Sequence, residues 1–282
     1  MARTFPFEFL THQPSGALGQ FVETIWYARG RVPYERERIA PTGSSVAVFV
    51  LGDPILETPD DGEGEGIRAG RGVLLGPHAR PVVNEPLGET FAVGIVTTPV
   101  GCETVFGISP VSIRARVMEL EQVWPAATWV RAQLLEKSTG DGMIEVVEAA
   151  LRENVHPVPG VELCARAVAL LEESPTRPIG EIATELDISH SYLDRRFTQI
   201  VGLSPRTLAR ILRMRALLAA LDVGAGVDWA QAAFELGWFD QSHLIRDFKR
   251  HTGVTPSAYV AAQKAYIEPE RPGEHAGFVP DL

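Results

Sequence analysis

The C-terminal third of the chain contains two short units with the same order of turn, N-cap residue, apolar pair and C-terminal glycine. This repeat constrains the fold more than any other feature. In the first unit, residues 179–186 have the spacing of a short helix, and a tight turn follows that ends at Ser189, a residue type that favours helix N-caps. Leu193 and Phe197 then lie i, i+4 on the inner face of a second helix, and Gly202 is a typical residue for its C-terminal end. This order predicts a helix-turn-helix unit.

The second unit follows the same plan further along the chain. Gly237 opens the turn, Asp240 is a suitable N-cap, Leu244 and Phe248 form the inner face, and Gly253 closes the helix. A helix of this size fits the major groove of DNA, and its N-terminal residues then reach the base edges. The alternative is a helical bundle whose polar faces only meet water.

The predicted outer faces of the two second helices carry side chains suited to base contacts. They are Ser191, Asp194 and Arg195 in the first unit, and Gln241, Ser242, Ile245 and Arg246 in the second.

Charge distribution agrees with a nucleic-acid partner although the chain has a net charge of −10. Residues 161–267 are neutral, so the rest of the chain carries the whole negative charge. Residues 195–221 contain six arginines and no acidic residue. A local basic surface attracts phosphates even on an acidic protein, because salt screens charges beyond about 10 Å. A solvated, arginine-rich helix face would have the same composition.

Two stretches within residues 182–205 and 237–259 resemble the signature of the AraC family of bacterial regulators, and the resemblance covers residues 163–260. It implies two helix-turn-helix subdomains joined by a long helix over residues 205–221. Their recognition helices would enter successive major grooves roughly 34 Å apart. The family has Phe where Leu244 stands, which is a tolerable exchange in a core.

The resemblance also implies roles for individual residues, which follow the outer faces described above. It places Ser191, Asp194, Arg195, Gln241, Ser242, Ile245 and Arg246 at the bases, and Arg196, His243 and Lys249 at phosphates or in local packing. Asp194 is unusual on a DNA-facing surface. It either accepts a hydrogen bond from a cytosine amino group or forms a salt bridge that orients Arg195.

Residues 20–110 are predicted to be β-rich. Apolar runs at 46–51, 72–77 and 91–96 have turn residues at both ends, which indicates a small barrel or sandwich. The acidic, glycine-rich stretch 57–66 between two of these runs is predicted to be an exposed loop. Helical spacing begins after residue 110, where Ile144, Val147 and Leu151 share one face.

These patterns give an α+β fold with two domains. We expect a barrel-like sensing or dimerisation domain with helices over residues 1–155, an all-α DNA-binding domain over 161–265, and a disordered tail over 266–282. The two cysteines, Cys102 and Cys164, show no pairing pattern and are expected to be buried reduced thiols.

The first half of the chain also resembles an N-terminal domain type found on these regulators, on residues 21–27, 37–41 and 76–81. Its candidate pocket residues are Trp26, Tyr27, Arg38, His78 and Arg80, none of which the pattern singles out. With only His12 and His78 in the first 150 residues, and no nucleophile or phosphate-binding motif, the sequence predicts no catalytic residue, no metal and no cofactor.

The expected function is sequence-specific transcription regulation through double-stranded DNA, with a small-molecule effector bound by the N-terminal domain. A constitutive DNA-binding protein with an N-terminal interaction module is the second hypothesis, and an enzyme is a distant third. We expect a cytoplasmic homodimer without membrane contact, because the chain lacks a signal sequence and a long apolar run. RNA polymerase would be a further partner if the protein is an activator.

Overall fold

The computed structural model describes residues 7–59, 66–224, 226–266 and 277–281. The strands are β1 (Glu8–His12), β2 (Val22–Gly30), β3 (Glu37–Ile39), β4 (Val46–Val50), β5 (Ile55–Pro59), β6 (Ile67–Ala69), β7 (Gly72–Leu75), β8 (Val82–Pro86), β9 (Thr90–Thr97), β10 (Val117–Glu119) and β11 (Phe278–Pro280). The helices are α1 (Gly101–Phe106), α2 (Leu120–Val123), α3 (Ala127–Leu135), α4 (Gly140–Glu153), α5 (Val161–Glu173), α6 (Ile179–Glu185), α7 (His190–Val201), α8 (Pro205–Ala220), α9 (Trp229–Glu235), α10 (Gln241–Thr252) and α11 (Pro256–Tyr266).

Two antiparallel sheets form the N-terminal half. The six-stranded sheet has the order β1-β2-β9-β4-β7-β10, and the five-stranded sheet has the order β11-β3-β8-β5-β6. The first ten strands come from the N-terminal half, whereas β11 comes from the C-terminal end of the chain. This arrangement confirms the predicted sheet-rich N-terminal domain followed by a helical region.

Strand β4 shows why its sequence is apolar throughout. Val48 and Val50 belong to a buried cluster that includes residues of both sheets. Ala47 and Phe49 point to the opposite face, into a cluster that includes residues of α1 to α4. Side chains alternate across a strand, so a strand covered on both faces needs apolar residues at every position.

Helix α4 covers the six-stranded sheet with the face predicted from its spacing. Ile144, Val147 and Leu151 are all buried in the cluster beneath the helices. The residue before the helix, Thr139, is its N-cap, and its side chain accepts a hydrogen bond from the backbone N–H of Gly142. Burial of one apolar stripe is what fixes a helix of this length on a sheet.

The helical C-terminal region contains two buried clusters, and helix α8 contributes to both. Leu208 and Leu212 lie in the cluster shared with α5, α6 and α7. Met214, Leu217 and Leu218 lie in the cluster shared with α9, α10 and α11. The long helix is therefore a rigid connection between the two helix-turn-helix units.

Two sequence-based expectations are wrong. Residues 278–280 are not disordered, because they form β11, which pairs with β3 and buries Val279. The acidic stretch is not wholly an exposed loop, because Glu57 lies in β5 and is only 3% exposed. In both places a strand partner distant in sequence supplies the burial; residues 60–65 and 267–276 lie outside the described residues.

Both cysteines are buried and free, as the sequence predicts. Within the described ranges, no helix is long and apolar enough to cross a membrane.

Gly94 provides a test of the packing between strands β2 and β9. A Cβ at Gly94 would lie 2.0 Å from Cε2 of the Trp26 indole, a rigid ring that cannot bend away. We expect Gly94→Ala to lower the free energy of unfolding by about 1–3 kcal/mol, as overpacking does. Urea-unfolding curves measure this change.

Gly70→Ala is the matched control for this prediction. A Cβ at Gly70 meets nothing within 4 Å, and we expect a change within about 0.5 kcal/mol. Equal effects of the two substitutions would contradict the packing argument.

Candidate DNA-binding surface

The first recognition helix, α7, is held by a cap at each end and an apolar inner face. Ser189 Oγ accepts a hydrogen bond from the backbone N–H of Tyr192 at 3.2 Å. Gly202 ends the helix with φ of 79°, a left-handed conformation that favours glycine. Leu193 and Phe197 are fully buried. These contacts fix which face of α7 meets solvent.

The second recognition helix, α10, has the same construction. Asp240 Oδ1 accepts a hydrogen bond from the backbone N–H of His243 at 2.7 Å. Gly253 ends the helix with φ of 78°. Leu244 and Phe248 are fully buried, so Leu244 fills the core position that the family resemblance assigns to Phe.

Most of the candidate DNA-contacting residues are exposed. On α7 and α10 these are Ser191, Asp194, Arg195, Gln241, Ser242, Arg246 and Lys249. The two helices therefore each present a polar face, although the exposure of a side chain does not itself identify a base contact.

Asp194 and Arg195 do not form the salt bridge that was one of two hypotheses for Asp194. Among the residues that the structure describes, Asp194 takes part in no ion pair. The Arg195 guanidinium instead lies over the Tyr192 ring, 5.8 Å from its centroid. The neighbouring aromatic ring, and not the carboxylate, orients this arginine.

Three candidates are less accessible than the others, and one of them is His243, which is partly buried with Nε2 3.6 Å from Asp247 Oδ2. Arg196 is half-buried, and its guanidinium donates hydrogen bonds to the Pro159 carbonyl oxygen and to Gln199 Oε1. Ile245 is partly buried and packs against the core of the second unit. Arg196 therefore holds the segment before α5, in keeping with the local packing role considered for it.

Two of the arginines of α8 make hydrogen bonds within the protein. Arg213 donates hydrogen bonds to Asp247 and to the Gly237 carbonyl oxygen. Arg215 donates to Glu23 and to the Thr42 carbonyl oxygen in the N-terminal half. These two arginines are intramolecular ties. They belong to the six arginines of residues 195–221, which the sequence analysis interpreted together as a surface that attracts phosphates.

Asp247 is the functional residue that sequence reasoning missed. Its Oδ2 accepts hydrogen bonds from Arg213 Nη2 at 3.2 Å and from Trp238 Nε1 at 3.0 Å. The Arg213 guanidinium stacks over the Trp238 ring, 4.1 Å from its centroid. One carboxylate thus joins α8, the turn of the second unit and α10, and burial lowers the pKa of Arg213 while Asp247 opposes that shift.

The N-terminal half packs directly on the DNA-binding region. A Cβ at Gly43 would lie 2.4 Å from Leu208 Cδ1, so the loop before β4 contacts α8 closely. His78 and His251 are both buried and close enough to interact electrostatically. Burial, then Arg215 and His78, lower the pKa of His251 to about 3, so this imidazole is neutral at pH 7.

The C-terminal strand is a second connection between the two halves. Val279 of β11 lies in the core of the second helix-turn-helix unit, and Gln263 Nε2 donates to the Phe278 carbonyl oxygen at 2.7 Å. The same strand pairs with β3, and Asp281 accepts hydrogen bonds from Arg36 and Arg38. We refer to Phe278–Asp281 and its contacts with β3 as the C-terminal clasp.

The five candidate pocket residues of the N-terminal half do not line one pocket. Tyr27 is buried under the helices, Arg38 belongs to the clasp, His78 faces the DNA-binding region, and Arg80 is exposed. Trp26 alone packs against the cluster between the sheets. Within the described ranges, no group of three or more His, Cys, Asp or Glu residues is placed to hold a metal ion.

Two family models match separate parts of the chain. One, described as "Helix-turn-helix domain", matches residues 165–262, and the other, "Domain of unknown function (DUF6597)", matches residues 10–119. With the two capped and buried helix pairs, the first match confirms that residues 165–262 form a helix-turn-helix domain. Its helix-turn-helix domain makes the protein a DNA-binding transcription regulator. No curated protein matches the chain by sequence.

Several solved structures are similar to the chain at low sequence identity. ToxT from Vibrio cholerae is 13% identical, with a TM-score of 0.48 over 90% of this chain and 98% of that one. ToxT bound to an unsaturated fatty acid is 12% identical, with a TM-score of 0.46 over 92% and 97%. A regulator from Chromobacterium violaceum, with an AraC-type DNA-binding domain, is 24% identical over 39% of this chain and 100% of that one, with a TM-score of 0.34.

Asp247 provides a test of how the second unit is held together. Asp247→Ala removes the acceptor of Arg213 Nη2 and of Trp238 Nε1 at a site where the Arg213 and Asp247 side chains are 15% and 18% exposed. We expect the free energy of unfolding to fall by about 2–3 kcal/mol. Chemical denaturation followed by circular dichroism measures the loss.

Two further variants make this prediction specific. Asp247→Asn retains an acceptor oxygen and is expected to lose less than Asp247→Ala. Asp194→Ala removes an exposed carboxylate without an ion pair among the described residues, and we expect a change within about 0.5 kcal/mol. If all three variants unfold at the same denaturant concentration, Asp247 does not hold the unit together.

Proposed function

We propose that the protein reads two DNA elements through α7 and α10, and that a small molecule in the N-terminal half controls this binding. The observation that carries the proposal is the pair of capped helices, each locked by a buried apolar face and each presenting polar side chains to solvent. We assign base contacts to Ser191, Asp194, Arg195, Gln241, Ser242, Ile245 and Arg246.

Phosphate attraction comes from basic side chains that have no intramolecular role. Arg206 and Lys249 are exposed, and they form no ion pair with another described residue. Phosphate contacts supply the salt-dependent part of the affinity, whereas base contacts supply specificity. Arg196 contributes through the position of α7 and not through a phosphate.

Control by the N-terminal half is supported by its contacts with the second helix-turn-helix unit. The Arg215–Glu23 ion pair joins β2 to α8. The clasp joins β3 to the buried cluster that contains Val279 and residues of α11. A ligand that shifts β3 would therefore shift a strand whose Val279 lies in the core beside α10. Such a ligand acts only through its different affinities for the two arrangements.

We further propose that the protein works in the cytoplasm as a homodimer on double-stranded DNA, without a membrane or catalytic role. If it activates transcription, RNA polymerase is a partner. The helix-turn-helix match supports DNA binding in place of catalysis.

Constitutive DNA binding is the second candidate function. It is favoured by the many apolar side chains that fill the space between the sheets, among them Val48, Val73 and Leu75. A filled sandwich suits a dimerisation module, whereas a layer of polar groups suits a ligand. The two candidates differ in whether a small molecule changes DNA affinity.

Selection of binding sites from randomised duplex DNA tests the proposed function. We expect the full-length protein to enrich two elements about one helical turn apart, because α8 fixes the spacing of the two recognition helices. A fragment of residues 161–282, shown to be folded by circular dichroism, is selected in parallel. A duplicated motif with the full-length protein alone indicates dimerisation through the N-terminal half, and no enrichment by either would contradict DNA reading.

Arg246 and Lys249 test the division between base and phosphate contacts. We expect Arg246→Ala to cost about 1–3 kcal/mol on the preferred site and to relax base preference there. Lys249→Ala is expected to weaken binding to all sequences and to lower the salt slope by about 1. Fluorescence anisotropy on selected and scrambled duplexes measures both; an equal loss on both duplexes for Arg246→Ala would show that Arg246 contacts phosphate only.

A further inference from the structure

We propose that Glu37, Glu57 and Asn84 form a binding site for a small organic cation between the two sheets of the N-terminal half. The proposal rests on the proposed function and names the chemical class of its effector. Nothing in the comparisons assigns a site to these residues.

The three residues lie next to one another on three neighbouring strands. Asn84 of β8 pairs with Glu37 of β3 on one side and with Glu57 of β5 on the other. Directly opposed side chains on neighbouring antiparallel strands have Cβ atoms roughly 5 Å apart and lie on the same face. Ile55 and Val82, two residues away from Glu57 and Asn84, belong to the buried cluster between the sheets. Alternation therefore places all three polar side chains in that space.

Hydrogen bonds satisfy one carboxylate and leave the other open. Glu37 Oε1 accepts from Asn84 Nδ2 at 3.0 Å, and Glu37 Oε2 accepts from the Tyr34 hydroxyl at 2.9 Å. Asn84 therefore uses its amide donor on Glu37. Its Oδ1 has no hydrogen-bond partner among the described residues, and neither does Glu57 Oε2. Buried acceptors are almost always paired in proteins, so these two atoms mark a place for a donor.

The electrostatics at this place favour a cation. Glu57 is 3% exposed, and no described Arg, Lys or His forms an ion pair with it or with Glu37. Burial, and then the Glu37 carboxylate, raise the pKa of Glu57 well above its ordinary value. Arg38, the basic residue next to Glu37, pairs with Asp281 of the clasp. A cation between the two carboxylates would offset the repulsion that raises this pKa.

The opposite sheet carries an aromatic side chain at the same buried cluster. Trp26 of β2 packs against the cluster between the sheets, and its indole lies over Gly94, where any larger residue would collide with it. Aromatic faces together with carboxylates are a recurrent arrangement for organic cations. An amidinium or ammonium group can donate to both open acceptors, whereas a divalent metal bound here would keep several waters, for which the neighbouring apolar side chains offer no partners.

The same strand links this site to the DNA-binding region. Glu37 lies on β3 between Arg36 and Arg38, both of which donate to Asp281 of the clasp. A ligand bound to Glu37 between the sheets therefore contacts β3, the strand that pairs with β11 in the clasp.

The test uses the full-length protein and three probes: benzamidine, 1,4-diaminobutane and tetramethylammonium chloride. Isothermal titration calorimetry measures their binding, with neutral benzamide as the matched control for benzamidine. We expect at least one cation to bind with a dissociation constant on the order of 1 mM or tighter, and benzamide to bind at least about tenfold more weakly. Binding of none of the three probes would overturn the proposal.

Substitutions locate the site. Glu57→Gln keeps the size of the side chain and gives Asn84 Oδ1 a donor, so the variant is expected to fold and to bind the cation at least about tenfold more weakly. Glu37→Gln is expected to weaken binding as well. Glu85→Gln is the control, because Glu85 follows Asn84 on β8 and points to the other face of the sheet. Equal affinities of Glu57→Gln and the wild-type protein would overturn the proposal.

DNA affinity separates this proposal from the proposed function. If cations bind through Glu57 and the protein selects no DNA site, the site stands and the proposed function fails. If the protein selects a DNA site but binds no cation, the proposed DNA reading stands and the carboxyl pair is a structural feature in which a protonated Glu57 donates to Asn84.

Discussion

Helix α8 is the element on which the arrangement of the DNA-binding surface depends. Leu208 and Leu212 enter one core and Met214 and Leu217 enter the next, so the two recognition helices are positioned by a single rigid helix. Close packing makes such a connection stiff, because cores of this kind tolerate little displacement. Arg213 of α8 also stabilises the second unit, because its guanidinium donates a hydrogen bond to Asp247 and stacks over the Trp238 ring.

Contacts from the N-terminal half converge on the same helix. Arg215 reaches Glu23 and the backbone at Thr42, and Gly43 allows the loop before β4 to approach Leu208. The C-terminal clasp adds a second tie through β3. The two halves are therefore connected at α8 and at β11, through Leu208 in the core of the first helix-turn-helix unit and Val279 in the core of the second.

Polar groups inside the N-terminal sandwich contrast with the otherwise apolar packing between the sheets. Most inner residues are Val, Leu, Ile and Ala, and a layer of Glu37, Asn84 and Glu57 interrupts them. Buried carboxylates lower stability unless something pairs with them, so this layer has a cost that packing alone does not explain. A ligand would explain it, which is why the layer bears on the choice between an effector-responsive and a constitutive regulator.

The sequence by itself determined the helix-turn-helix units, since caps, glycines and i, i+4 apolar pairs are local signals that the backbone obeys within a few residues. Ser189, Asp240, Gly202 and Gly253 all have the predicted roles. The apolar face of α4 and the sheet-rich first half were predictable for the same reason. The assignment of base contacts to Ser191 or Arg246 stays a prediction, because it concerns a partner.

Only the tertiary structure decided the features that depend on residues far apart in sequence. Strand β11 forms because it makes hydrogen bonds with β3 and because Val279 packs into the core of the second unit. The local sequence of a short tail rich in Pro and Gly indicates neither partner. Glu57 is buried because its strand pairs with β8 and β6 and turns this face toward the other sheet, although the residues that follow it in sequence are acidic and glycine-rich. Arg213 and Arg215 have structural roles for the same reason. The local sequence shows that they are charged, but only long-range packing brings them to their partners Asp247 and Glu23.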